Sequence, residues 1–274
     1  MKLRASPAFG PSALLALLAA LAFVYPFLWM FLSAFKTNKE IYQPLLLIPA
    51  DYEWDAYASL LSGEYLDFTG SFLNSLFIAG AQALAATLFA AGAGFAFAKL
   101  RFPGKRALFL LAVLVILVPR QVLAVPLFEW LAWLEARGSS WAVILPGLAS
   151  GLGVVFFTQT FRQTPDELLD LARVEGLTPF RAYLTLLPLV FPALVTYGLI
   201  HFILAWQEHL FPLLLLSEEN QTLPLALAKL KDSSHRIPEA VAMAAATFTL
   251  LPVVILFAVF YRKMRTALTE LTLS

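Results

Sequence analysis

Hydrocarbon offers no hydrogen bonds, so a chain that crosses a bilayer must satisfy its backbone internally, and a long apolar stretch within it becomes a helix. One crossing needs about 20 consecutive residues. This sequence supplies six such stretches, at residues 12–34, 72–98, 105–124, 141–161, 189–210 and 240–261. They predict an all-α fold: a polytopic membrane protein of about six transmembrane helices, with residues 1–274 as a single transmembrane domain. Hydrophobic residues make up 60% of the chain and charged residues 14%, which excludes a soluble domain of this length. The first stretch follows Lys2 and Arg4, as the core of a signal peptide would. It is nevertheless too long, carries Phe23, Tyr25, Phe27, Trp29 and Phe31, and no small-x-small cleavage pattern closes it. It reads as a retained span.

Charge decides how the third stretch is counted. Pro119-Arg120-Gln121 interrupts it before the apolar run 122–134 resumes, and counting two spans there would send every later loop to the other side. With six spans and the N-terminus inside, the cytoplasmic side holds Lys2, Arg4, Lys99, Arg101, Lys105, Arg106, Arg162, Arg173, Arg181, Arg262, Lys263 and Arg265. These are twelve of the 19 basic residues, set against only five acids (Asp166, Glu167, Asp170, Glu175 and Glu270), as the positive-inside rule requires. A seventh span would place six of those basic residues outside. The run 122–134, with Trp130 and Trp133, is then an external interfacial helix, and Arg120 is expected to pair with a carboxylate at the outer interface. Residues 35–70 and 215–239 form acid-rich outer segments.

One polar insert stands out between the apolar runs, at residues 163–188. Thr164 is placed as an N-cap, Pro165 at the first helical position and Glu167 three residues on, as in a capping box. Leu168, Leu171, Ala172 and Glu175 then share one mostly apolar stripe. Gly176 ends the helix, where a left-handed residue is commonly needed. Thr178-Pro179 starts a second helix, and Pro188 leads into the next span. By composition alone, such an insert is also what an amphipathic helix lying on the lipid surface looks like.

Asp170-Leu171-Ala172, then Gly176, then Leu187-Pro188, resembles the E-A-A…G…L-P loop of permease subunits in binding-protein-dependent ABC importers. Asp stands in the usual Glu place and Leu in the first usual Ala place. The resemblance implies that this loop is a cytoplasmic coupling helix docking in a separate ATPase, through Leu168, Asp170, Leu171, Ala172, Glu175, Gly176, Leu187 and Pro188. It extends over nearly the whole chain and is most similar to the maltose-type sugar permeases. Pro26-Phe27-Leu28-Trp29 and Phe35-Lys36-Thr37 look like their first span and its exit. Phe72-Leu73-Asn74-Ser75-Leu76 and Phe97-Ala98-Lys99-Leu100-Arg101-Phe102-Pro103-Gly104 look like the two ends of their second span. Trp206-Gln207-Glu208-His209-Leu210-Phe211-Pro212-Leu213 is a variant of their W-N-D/E-x-x-x-P-L stretch, and Thr222-Leu223-Pro224-Leu225 and Leu251-Pro252 also fit. The tail Ala267-Leu268-Thr269-Glu270-Leu271-Thr272-Leu273-Ser274 departs from their Gly-rich, Lys-containing end.

The chemistry expected of this chain is passage rather than catalysis. No G-x-x-x-x-G-K-[ST] loop occurs, so no ATP or other cofactor is expected to bind here, and hydrolysis falls to a partner. Gly151-x-Gly153 reads as a close helix contact. There is no cysteine, and His201, His209 and His235 are too scattered for a metal site. No nucleophile, base and orienter set is visible, so the chain is not expected to be an enzyme. Polar residues inside spans are the candidates for the solute path: Asn74, Gln82, Tyr197, His201, Gln207 and Glu208. Thr158, Gln159 and Thr196 complete the set, with Thr158 and Thr196 its weaker members, since Ser and Thr hydroxyls in helices usually bond back to their own backbone. His201 and Glu208 lie seven apart, which places them on one helical face, and buried ionisable groups need water or a partner.

The resemblance implies ABC ATPase subunits, a second and different permease chain, an extracytoplasmic solute-binding protein and the lipid bilayer as partners, with no nucleic acid. It implies half of a translocation path for a carbohydrate or polyol, in a bacterial or archaeal inner membrane with both termini cytoplasmic. An ABC permease for a non-sugar solute is the nearest alternative. An ion-gradient-driven secondary transporter is a further one, disfavoured by the lack of internal repeats and of a chain of intramembrane carboxylates.

Overall fold

A computed structural model describes residues 11–43, 45–232 and 237–272. Lys2, Arg4, His235, Leu273 and Ser274 lie outside the described residues, and so do the side chains of the tail from Arg262 onward. Among the described residues the regular structure is helical, apart from one isolated bridge between Gly138 and Leu216.

Four helices are long and apolar enough to cross a membrane, and six spans result if each of two bent pairs counts as one. The first is α1 (Pro11–Ser33). Two short helices follow, α2 (Asn38–Ile41) and α3 (Asp55–Ser62), and then α4 (Phe68–Lys99). The third stretch does not run to residue 124 as expected. Helix α5 (Lys105–Leu117) stops after 13 residues, about 20 Å, because Val118 is extended ahead of Pro119 (φ −80°, ψ 119°). A 3-10 turn at Arg120–Leu123 and helix α6 (Ala124–Trp133) then leave at 101° to α5, with Trp133 exposed, in keeping with an interfacial helix.

The fourth stretch is also broken. Helix α7 (Trp141–Gly147) and helix α8 (Gly151–Gln163) meet at 43°, and Ser150 caps α8 by accepting from the Gly153 N–H at 3.2 Å. Next come α9 (Asp166–Val174) and α10 (Pro179–Leu186). The fifth span begins earlier than residue 189 and ends before 210. Through a 3-10 turn at Leu187–Val190, α10 continues into α11 (Phe191–Trp206), giving one element, Pro179–Trp206. Helices α12 (Leu210–Leu215), α13 (Leu223–Asp232) and α14 (Glu239–Thr272) complete the chain.

The chain divides into two compact units. One joins the residues up to Phe68 with 229–251. Its centre is the Phe35 ring, packed against Trp54 at 4.9 Å, Tyr57 at 5.1 Å and Phe31 at 5.4 Å. Beside it Thr37 and Glu40 form a full capping box on α2, and Glu40 also accepts from the Ala50 N–H at 3.1 Å. These backbone bonds hold the Glu40 carboxyl below its usual range.

The other unit joins residues 69–228 with 252–274. Its main core is formed by α4, α8, α10 and α11 around Phe95, Phe157, Phe161, Tyr183 and Tyr197. Without a hydrophobic drive between helices in lipid, close packing has to hold such helices together, which favours small residues at the contacts. A Cβ on Gly94 would lie 2.5 Å from the Phe157 Cβ, and one on Gly153 would lie 2.7 Å from the Ala90 Cβ, so α4 and α8 touch almost backbone to backbone. Gly151 meets α5 the same way, its added Cβ falling 2.3 Å from the Ala112 carbonyl oxygen. The Gly151-x-Gly153 pattern is therefore a packing seam.

Gly94→Ala should force α4 and α8 apart and cost about 1–3 kcal/mol, as over-packing does. Gly92→Ala, with nothing within 4 Å of the new methyl, should be neutral or slightly stabilising. Thermal unfolding of the detergent-purified variants checks this, and equal midpoints would contradict the seam.

Candidate functional site

The insert between α8 and α11 folds as two helices, but its start differs from the expected one. Thr164 is the last cap of α8, its N–H donating to Phe161 O at 3.2 Å, so no capping box forms on its side chain. Pro165 occupies the N-cap of α9 and offers no side-chain bond. Helix α8 runs on to Gln163, which commits Thr164 to closing that helix. The α9 start is held from outside instead. Lys99, the last residue of α4, donates to the Thr164 carbonyl at 2.6 Å and to Asp166 Oδ1 at 2.5 Å, with its own side chain only 4% exposed. That ammonium keeps the Asp166 carboxyl below its ordinary value. The pair's contribution is therefore full above the free carboxylate range and lost as pH falls through the lowered value.

The end of α9 is as expected. Gly176 is left-handed (φ 74°), its N–H reaches Arg173 O at 3.0 Å, and the Leu177 N–H reaches Ala172 O at 2.9 Å. This is the paired bond pattern of a Schellman stop. Thr178 then caps α10, accepting from the Arg181 N–H at 3.4 Å, with Pro179 at the first helical position.

The stripe predicted for α9 is split. Ala172 is buried together with Leu169, and both join the core of α4, α8, α10 and α11, with Leu168 half-buried beside them. Leu171 is 60% exposed, and Asp170, Glu175 and Gly176 are exposed with it. Two residues absent from the expected set share the exposure, Val174 at 86% and Phe180 at 68%. Both faces of α9 carry apolar residues, so periodicity alone does not give the phase. Asp170 is paired along the helix with Arg173 at 2.8 Å. Leu187 is half-buried and Pro188 exposed, both in the 3-10 joint between α10 and α11.

The candidate polar residues of the spans fall into separate groups. Tyr197, almost fully buried, donates to Ser150 Oγ at 2.6 Å and lies 3.3 Å from His201 Nδ1. The three residues meet at the α7–α8 break, where His201 also bonds to the Gly147 backbone. Ser150 was not marked by the sequence reading; its signal was a cap residue ahead of Gly151-x-Gly153. Gln82 is buried on α4, filling the space beside Gly147, and ties to the Val143 carbonyl at 3.0 Å. Asn74 reaches the Glu219 carbonyl at 3.5 Å. Thr158 and Thr196 bond back to their own helices, as expected, and Gln159 is exposed.

His201 and Glu208 do not share a helical face, because α11 ends at Trp206 and exposed Gln207 is its cap. Glu208 instead opens α12, accepting from the N–H groups of His209 and Leu210 at 3.1 and 3.0 Å. Its other oxygen pairs with Arg120 at 3.2 Å.

Residues 85–269 match the family described as binding-protein-dependent transport system inner membrane component. The arabinooligosaccharides transport system permease protein AraQ of Halalkalibacterium halodurans is 31% identical over 90% of this chain and 89% of its own length. The trehalose transport system permease protein SugB of Mycobacterium tuberculosis is 30% identical over 89% of this chain and 90% of its own. The sn-glycerol-3-phosphate transport system permease protein UgpE of Pectobacterium atrosepticum is 30% identical over 76% of each. In fold, the chain is similar to a chain in the crystal structure of a bacterial ABC transporter involved in importing the acidic polysaccharide alginate. The TM-score is 0.81 at 20% identity, covering 94% of this chain and 99% of that one.

The left-handed turn yields a direct test. A Cβ at Gly176 would meet nothing within 4 Å, so the cost of Gly176→Val is conformational alone, about 1 kcal/mol or more. Membrane insertion and expression should stay at the wild-type level while α9 is reset relative to α10. Gly176→Asn, which tolerates the left-handed region, should be the milder change. Limited proteolysis within residues 163–188 should accelerate for Val and much less for Asn; equal rates would show that the turn does not depend on glycine.

Proposed function

Because the chain belongs to the family of binding-protein-dependent transport system inner membrane components, we propose that it is the permease subunit of an ATP-driven ABC importer for a carbohydrate or related polyol. The observation that carries the mechanism is the two-faced insert. Its inner face, Leu169, Ala172, Ala182, Tyr183 and Leu186, is part of the core, while Leu171, Val174 and Phe180 stand exposed. An apolar tip on a firmly held base suits docking in a cleft of a separate ATPase, with rigid-body motion passed to α8 and α11. Leu171, Asp170, Glu175 and Gly176 belong to the docking side in this reading, and Leu168, Ala172, Leu187 and Pro188 to its support.

ATP hydrolysis is assigned to the partner, and this chain binds no cofactor of its own. ABC ATPases act in pairs and one permease supplies one loop, so a second, related permease completes the path. An extracytoplasmic binding protein delivers the solute. Arabinooligosaccharides, trehalose and glycerol-3-phosphate in the names of the relatives support a polyhydroxylated cargo. The basic bias around the insert supports a cytoplasmic position for it and for both termini in an inner membrane.

Within the spans we assign the solute path to His201 and Tyr197 at the α7–α8 break, where an ionisable group lies inside the membrane region. Asn74, Gln82, Gln207 and Glu208 are read as holding turns and helix contacts around it.

Leu171→Asp or Val174→Asp tests the docking face. A charge on an apolar contact should weaken ATPase co-purification by about tenfold or more, with expression intact. Wild-type recovery of the ATPase with normal uptake would remove the coupling assignment. His201→Leu should lower uptake at unchanged complex yield, whereas Glu208→Gln should lower yield and uptake together. The opposite pattern would exchange their roles.

A further inference from the structure

Lys99 has no part in the docking face described above and is not explained by the positive-inside bias alone. A topological lysine needs only to stay on its side of the membrane, where its stem can snorkel and its head stay in water. This one does the reverse, with a side chain 4% exposed and an ammonium directed into protein. Three features converge on it. It ends α4, it bonds the Thr164 carbonyl that closes α8, and it pairs with Asp166 in the first turn of α9. Two helix C-termini, each carrying partial negative charge, and one carboxylate thus share a single cation. The link between α8 and α9 is otherwise thin. Thr164 and Pro165 are both extended (ψ 131° and 137°), and neither side chain caps α9.

We propose that Lys99 is the positioning residue of the insert, an ammonium clamp that fixes the direction in which α9 leaves α8 by tying their junction to the end of α4. The proposal rests on the coupling reading of the insert. Its consequence is that α4 moves with α8, α9 and α11 when the ATPase pulls. Losing the clamp leaves the docking face and the core contacts of Leu169 and Ala172 in place but loosens the α8–α9 junction from the end of α4, so part of each ATPase stroke is lost before it displaces the spans.

The test uses the assembled complex in proteoliposomes, with ATP hydrolysed per solute imported as the readout. Lys99→Met keeps the apolar stem and removes the charge. It should leave ATPase co-purification unchanged, lower the melting temperature only slightly, and raise the ATP-to-solute ratio about fivefold, within the range reached by mutations along coupling networks. Asp166→Asn retains the bond to the Thr164 carbonyl and should raise the ratio less. The double variant should be no worse than Lys99→Met alone, as expected for groups in one network. Lys99→Arg should recover part of the loss.

An unchanged ratio in Lys99→Met overturns the proposal. So does a lowered melting temperature with an unchanged ratio, which would mark the lysine as structural. If Lys99→Met does not assemble, Asp166→Asn decides, since that side chain is 81% exposed, and an unchanged ratio there overturns the clamp. The underlying reading fails separately: if Leu171→Asp keeps its ATPase, the coupling assignment falls, whereas if only Lys99→Met behaves as wild type, the clamp alone falls.

Discussion

Every backbone donor and acceptor in hydrocarbon must find a partner inside the protein, and the folded chain is organised by where that becomes difficult. Helices meet the demand along their length and fail at their ends. Three such ends in the larger unit lie after Leu117, after Gly147 and after Trp206. At two of them a side chain takes over. Ser150 serves the Gly153 N–H, and Glu208 serves the N–H groups of His209 and Leu210. Arg120, just past the first break, then closes on Glu208, joining two interruptions with one ion pair. Much of the polar chemistry of an otherwise apolar chain is spent on breaks in its own helices. His201 instead lies beside the end of α7 at Gly147, where Tyr197 and Ser150 already converge.

The sequence was most legible where a signal is local. Gly176 and Thr178-Pro179 each act within one turn of themselves, and each does what its chemistry dictates. Thr164 failed as a local signal because two helices compete for it. α8 continues to Gln163 and takes the threonine as its cap, so α9 begins without one. The phase of α9 was also hidden. Leu168, Leu171 and Val174 make one apolar face and Leu169 and Ala172 another, and only the packed aromatic core of Phe95, Phe161 and Tyr183 selects which turns inward. Pro119 likewise announced a break, but the 101° turn that follows depends on where Leu131 finds a buried site.

Partners far apart in sequence were the least legible. Lys99 and Asp166 lie 67 residues apart, and nothing local to either names the other. Gln82 and Val143 are separated by 61 residues, and the amide fits only because residue 147 is glycine. Each such pair has an ordinary local reading, a basic residue at a span end or a polar residue in a helix, that is correct as far as it goes. The added meaning comes from the close approach of α4 to α7 and α8, set by Gly147, Gly94 and Gly153.

That close approach bears on how a loop outside the spans could affect groups within them. From Leu169 and Ala172 the core passes through Ala182, Tyr183 and Leu186 to Val190, Ala193 and Tyr197 without leaving buried side chains. Protein interiors packed at crystal-like density transmit displacement because there are no voids to absorb it. The Leu187–Val190 joint is the softest point on this route, a 3-10 turn whose proline at 188 has no N–H to contribute to the helix. A push on α9 therefore has two ways to reach Tyr197 on α11. One runs through the side-chain core. The other runs along α10 and across that joint, where bending rather than translation is the easier response. A stiff core beside a soft backbone joint favours rotation of α11 about Leu187–Val190. Such a rotation acts directly on the Tyr197–Ser150 bond, and so on the break between α7 and α8 where His201 lies.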